Sequence, residues 1–151
     1  MTLQQRLESY RRNRNCTLLG VGPMSKNCVD ASIELAEQYK TPLMLIASRR
    51  QIDSEQFGGG YVENWSTRQF ADYVRSKDIN KNIILARDHG GPWQNELEKS
   101  QNMNLKDAMQ SAKDSYRADI DAGFHMLHID PSIDIHSQPN IEQTLERVYE
   151  L

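Results

Sequence analysis

Apolar residues recur along this chain in short continuous runs, and stretches of helical spacing separate them. The spacing predicts an opening helix over about 2–13, after which CTLLGVG at 16–22 reads as a buried strand with a glycine stop. Residues 26–40 read as a helix with Cys28, Ser32, Leu35, Ala36 and Tyr39 on one stripe. Pro42 breaks it, and TPLMLIAS is a second run of strand length. Residues 49–65 carry Gly58, Gly59 and Gly60 without any period and are predicted to be a long loop. Ser66 offers an N-cap hydroxyl to a helix that buries Phe70, Tyr73 and Val74. NIILA at 82–86 is a third strand, running into RDHGGPW, which has no regular pattern. A helix over roughly 104–121 sets Leu105, Ala108, Met109, Ala112, Tyr116 and Ile120 on one face, and Gly123 caps it. FHMLHID at 124–130 is the fourth strand, and the last helix starts near Pro139 with Ile141, Leu145 and Val148 at i, i+4 and i+7.

Four strands, each followed by a helix, imply right-handed crossovers and an α/β fold with a parallel sheet. Two architectures satisfy that pattern, an open doubly wound sheet and a TIM (βα)8 barrel. Neither G-x-G-x-x-G nor G-x-x-x-x-G-K-[ST] follows the first strand, so a nucleotide fingerprint is absent. Polar residues instead gather at the strand ends: Ser25, Ser48-Arg49, Asp88-His89 and Asp130-Pro131-Ser132. That placement suits the catalytic face of a barrel. At 151 residues the chain is one domain's worth of protein, with 1–151 as a single partial barrel.

Charge narrows the partners. The 18 basic and 21 acidic residues leave a formal charge of −3, which favours neither nucleic acid nor a membrane surface. No apolar run approaches the ~18 residues of a membrane span, and the polar N-terminal stretch lacks the apolar centre of a secretory signal. Cys16 and Cys28 are too few for a disulfide framework and read as free thiols in a reducing cytoplasm.

Asp88 beside His89 pairs a proton-transfer carboxylate with an imidazole able to ligate a metal; the plainer alternative is a turn cap beside a surface histidine. His125 and His128 point to opposite faces of a strand, whereas His128 and Asp130 share one. Arg49, Arg50 and Arg87 are candidate phosphate partners or salt-bridged rim residues. The runs Gly58–Gly60 and Gly90-Gly91 could bring backbone N–H groups to a phosphate or simply permit tight turns. Trp65 and Trp93 could line a pocket but more naturally pack beneath loops. No Ser/His/Asp or Cys/His nucleophile arrangement is discernible.

The succession PLMLIASRRQID, FGGGYVENWSTRQFADYV, NIILARDHGGPWQ and DIDAGFHMLHIDPS resembles the accessory (non-catalytic) subunit family of class II tagatose-1,6-bisphosphate aldolase. The likeness runs from about residue 20 to the end, and its motifs are specific in combination. The resemblance implies kinship with the metal-dependent (βα)8 ketose-bisphosphate aldolases. It implies that Asp88 is the catalytic acid/base and that His89 is a metal ligand, zinc by analogy. It further implies that Ser48, Arg49, Asp130 and Ser132 are substrate-binding residues at the ends of the second and fourth strands. Two departures stand out: Arg87 occupies the place of a glycine before the acid, and Pro131 follows Asp130 where a small residue is common.

Family members have well over twice this length, so the chain is expected to supply about four of the eight barrel units. Either it is the N-terminal half of a longer protein or a second half completes it. Two function classes follow from the resemblance. The first is a non-catalytic subunit supporting a catalytic aldolase partner; the second is a metal-dependent sugar-phosphate aldolase or epimerase active in its own right.

Overall fold

The computed structural model describes residues 3–13 and 17–151. Strands β1 (Gly20–Val21), β2 (Leu43–Ser48), β3 (Ile83–Gly90) and β4 (Met126–Ile129) form one sheet in the order β1-β2-β3-β4. Every neighbouring pair is parallel. The helices are α1 (Leu3–Asn13), α2 (Lys26–Tyr39), α3 (Thr67–Lys77), α4 (Glu96–Ser100), α5 (Leu105–Asp121) and α6 (Ile141–Glu150). A doubly wound sheet reverses its strand order at a switch point, which is how helices come to cover both faces. Here the order never reverses, so right-handed crossovers stack the connecting helices on one face. The architecture is therefore a run of consecutive βα units of the barrel type, with β1 and β4 as its outer strands.

Alternation along the strands sets the two faces apart. Leu43, Leu45 and Ala47 of β2, with Ile83 and Leu85 of β3, meet Val29, Ile33 and Ala36 of α2 and Phe70, Ala71 and Val74 of α3 in one core. The intervening positions of β2, Met44, Ile46 and Ser48, are half-buried on the other face. Ser66 caps α3 through a capping box with Gln69, as its position before the helix predicts.

Several expectations change. On α2 the buried stripe is Val29, Ser32, Ile33 and Ala36, and Leu35 and Tyr39 face solvent. The two possible stripes share Ser32 and Ala36, so spacing left the helix's rotation open until the sheet selected one side. On α6 the helix opens at Ile141 behind an Asn140 cap; Ile141 and Leu145 are exposed, and the buried residue is Arg147. Leu105 and Ile120 likewise sit outside the buried face of α5. The first strand shrinks to two residues, and Cys16 and residue 2 lie outside the described residues. β3 continues through Arg87, Asp88, His89 and Gly90, where an irregular end was expected. The short helix α4, capped by Asn95, was not anticipated.

Candidate metal and substrate cleft at the strand ends

The site begins with a defect in strand pairing. Arg87 pairs with Leu127 and Gly90 with Ile129, so three steps along β3 match two along β4. The extra residue is a β-bulge at Asp88–His89, and His89 adopts the left-handed backbone at φ 43°. Regular pleating sends adjacent side chains to opposite faces, but a bulge re-aims one of them. Asp88 and His89 consequently converge, with His89 Nε2 3.7 Å from Asp88 Oδ2. From β4, His128 Nδ1 comes within 3.5 Å of Asp88 Oδ1, and the two histidine rings lie 5.7 Å apart.

Behind His89 stands Asp130. Its Oδ2 lies 2.7 Å from His89 Nδ1 and also accepts from Gln94 Nε2 at 3.1 Å, while Oδ1 accepts from the Ser132 N–H. The Asp130 bond, against a modest opposing effect of burial and with help from Asp88, raises the His89 pKa above its ordinary value. Burial works against the Asp130 charge, but the bonds from Ser132 and His89 outweigh it and hold that carboxyl below the usual range. Two glycines fix the ledge beneath. A Cβ on Gly90 would meet the Tyr116 ring at 2.5 Å, and one on Gly91 would meet the Asp130 carbonyl oxygen at 2.0 Å. Tyr116 donates from beneath to the carbonyls of Gly90 and His128, tying the ends of β3 and β4 together.

Ser48, paired in register with Asp88, joins Asp88, His89, Asp130 and Ser132 along an open cleft of about 560 Å³. Arg50, Gln51, Tyr61, Gln94 and Ile133 complete its lining. Five of the six site residues expected from sequence are thus brought together. The sixth, Arg49, is placed elsewhere. Its guanidinium is fully buried, bound to Asp53 at 3.0 Å, Glu98 at 2.6 Å, the Gly91 carbonyl and the Ser111 hydroxyl. A buried cation needs such partners, and its burial keeps it out of the cleft. Arg87 is interior for the complementary reason: Asp88 takes the cleft face, so its neighbour takes the helix face. There it grips Asp119 with two bonds of 2.7 and 2.6 Å and spans to the carbonyls of Ala47 and Ile52. Burial opposes the Arg87 charge, but Asp119 outweighs it and raises the pKa.

The glycine loop is likewise committed internally. The N–H groups of Gly58, Gly59 and Gly60 donate to the carbonyls of Glu55, Ser54 and Trp65. Trp93 is buried, its indole N–H on the Met103 carbonyl, as packing beneath a loop requires. His125 accepts from the Leu85 N–H, and His136 faces Met103 and Trp93, so neither joins the cleft cluster. Gln94 and Tyr61 stand in the motifs that carry the family resemblance but were not singled out, because their loops reach the cleft only through tertiary packing.

One atom each from Asp88, His89 and His128 lies within 4.8 Å of the others. For a tetrahedral centre with bonds near 2.0–2.1 Å, neighbouring donors stand roughly 3.3 Å apart; the two histidines approach different oxygens of Asp88, at 3.5 and 3.7 Å, so a small rotation of its carboxylate and of the rings is needed to gather one atom from each. Two imidazoles and a carboxylate are a donor set that zinc accepts. The carboxylate behind His89 holds Nδ1 and leaves Nε2 for a metal, a recurrent outer-shell arrangement.

The family described as "D-tagatose-1,6-bisphosphate aldolase subunit GatZ/KbaZ-like" matches residues 3–148. Among solved structures, the fold is similar to a probable tagatose 6 phosphate kinase from Sinorhizobium meliloti 1021, with a TM-score of 0.71 and 21% identity. That match covers 88% of this chain and 34% of the other. The YdjI aldolase from Escherichia coli K12 aligns with a TM-score of 0.44 and 13% identity over 99% of this chain and 57% of its own. The chain thus spans well under two thirds of the length of either.

Proposed function

The chain belongs to the GatZ/KbaZ-like family of D-tagatose-1,6-bisphosphate aldolase subunits, and on that premise we propose that it acts as, or within, an accessory subunit that supports a catalytic aldolase. Its strand-end cleft takes a sugar phosphate beside a divalent metal, zinc by the character of the donors. The observation that carries this reading is the convergence of Asp88, His89 and His128, with Asp130 fixed behind His89.

His89 through Nε2 and His128 through Nδ1 would hold the metal. When bound, it would polarise a carbonyl or hydroxyl oxygen of the sugar. Asp130 keeps the His89 tautomer and ring orientation. Asp88, one third exposed between the two imidazoles, either completes the ligand set or carries a proton to and from the sugar. Ser48 and Ser132 offer hydroxyls to the polyol chain from the two sides of the cleft. The outer strands β1 and β4 suit either further strands of a longer chain or a second copy that completes a barrel. A cytoplasmic location suits the free thiol of Cys28 and sugar-phosphate chemistry. Among the described residues no helix is long and apolar enough to cross a membrane.

A second reading, a metal-dependent sugar-phosphate aldolase or epimerase active by itself, is favoured by the same Asp88, whose carboxylate is open to the cleft as a proton carrier must be. Elemental analysis of the purified protein tests the shared premise. About one zinc per chain, lost in His89→Ala, is expected; a protein that binds no zinc on supplementation overturns it. Triose phosphate release from tagatose 1,6-bisphosphate then separates the two. Turnover only when a catalytic aldolase is added, above that enzyme's own rate or lifetime, supports the accessory role, and turnover by the chain alone supports the second reading.

A further inference from the structure

A sugar phosphate needs a group that reads its phosphate, and the structure eliminates most of the groups that the sequence offers. Arg49 and Arg87 are buried and turn their guanidinium donors to interior carboxylates, carbonyls and the Ser111 hydroxyl. The N–H groups of Gly58, Gly59 and Gly60 are bonded within their own loop. Of the residues lining the cleft, Arg50 is the single permanent cation. It follows Ser48 by two residues at the end of β2, so it stands on the rim of the same cleft. It also borders a second groove of about 580 Å³ between the glycine loop and α4.

Arg50 is not idle there. Its Nε lies 2.9 Å from Glu96 Oε1, and the two side chains remain 59% and 62% exposed. Exposed pairs of this kind contribute little, so a better anion displaces the carboxylate easily. A phosphate is that better anion, because it carries more charge and presents paired oxygens to the guanidinium fork. Tyr61 is held beside Arg50 by its N–H on the Arg50 carbonyl, and among the described residues its hydroxyl rests only on the Met24 sulfur, a weak acceptor. At the other end of the cleft stand Asp88 and Asp130, whose two carboxylates offset the charge of a divalent ion held there and leave little net pull on a phosphate dianion. Charge therefore orients a ligand with its phosphate at Arg50 and its sugar carbons toward Asp88.

We propose that Arg50 is the phosphate-reading residue of the cleft, assisted by the Tyr61 hydroxyl, and that Glu96 is the resident carboxylate that the phosphate displaces. This rests on the sugar-phosphate reading above and names its specificity determinant.

Titration calorimetry with inorganic phosphate and with tagatose 1,6-bisphosphate tests it on the full chain. Arg50→Gln is expected to weaken both about 10- to 100-fold, the loss of a charge-assisted fork. Arg50→Lys should fall between, keeping the charge without the fork. Glu96→Gln should tighten binding about two- to five-fold by removing the competitor. Unaltered melting curves establish that the exposed substitutions leave the fold intact. Unchanged affinity in Arg50→Gln, weaker binding in Glu96→Gln, or a wild type that binds neither anion overturns the proposal. Zinc content measured on the same samples separates the two levels: zinc retained with phosphate affinity indifferent to Arg50 sinks the inference alone. A wild type that never takes zinc sinks the metal reading, whatever Arg50 does.

Discussion

One peptide bond, between Arg87 and Asp88, separates two regions of opposite electrostatic character. On the helix side of the sheet the buried arginines are matched by carboxylates: Arg87 grips Asp119, and Arg49 grips Asp53 and Glu98. On the cleft side Asp88, His89 and His128 crowd together with no lysine or arginine between them, backed by another carboxylate, Asp130. The first arrangement spends its cations on its own carboxylates. The second concentrates donors that favour a cation, which is how a chain marks the place where something binds. Charged residues one position apart therefore predict opposite mutational behaviour.

The largest effect is expected on the helix side. Arg87→Met strands Asp119 in the interior and should cost about 3–5 kcal/mol in urea unfolding, whereas adding Asp119→Leu should recover most of it. A single-mutant cost below about 1 kcal/mol would show that the interior pair is not what separates the two regions.

Gly91→Ala probes the boundary. A Cβ there meets the Asp130 carbonyl at 2.0 Å, so the ledge must shift, at a cost of about 1–3 kcal/mol. Zinc affinity should fall in the same variant because Asp130 moves away from His89. Asp130→Asn belongs to the cleft alone. Its stability should stay within about 0.5 kcal/mol of the parent, yet zinc binding should weaken about 10- to 100-fold in a competition assay with a chelator. A stability loss as large as that of Arg87→Met would erase the distinction.

The smallest effect concerns pH. Burial opposes the Asp134 charge, but Arg147 and the N–H groups of His136 and Ser137 prevail and lower its pKa to about 2. A depressed carboxylate contributes fully above its unfolded value near 3.9 and loses that contribution as pH falls through about 2. Helix α6, docked through Arg147 over Trp93, should therefore stay in place at pH 4 and loosen toward pH 2. Trp fluorescence followed down this range checks it; a transition complete by pH 4 would contradict the assignment.

Much of this was legible beforehand. Four apolar runs became four parallel strands, Ser66 capped its helix, and Asp88, His89, Asp130, Ser132 and Ser48 came together as their places at strand ends implied. Apart from the short helix α4 and the bounds of β1 and β3, what escaped was of one kind. The stripe chosen on α2, the exposed Ile141 and Leu145 of α6, and the burial of Arg49 and Arg147 all depend on what lies across a gap from the residue. Periodicity reports that a face exists but not which neighbour will cover it. Pairing a buried arginine requires a carboxylate from another element, as Asp119 stands 32 positions from Arg87.

By itself, then, the sequence determined the number and order of the strands and of the longer helices between them, because propensities, caps and breakers act within a few residues. Only the tertiary structure decided which charges became scaffold and which came to line the candidate cleft. A bulge one residue wide, made by the mismatch between β3 and β4, turned Asp88 and His89 to the same side and set His89 against Asp130, 41 positions away. Such a register shift is a property of two strands together, and neither strand carries it alone.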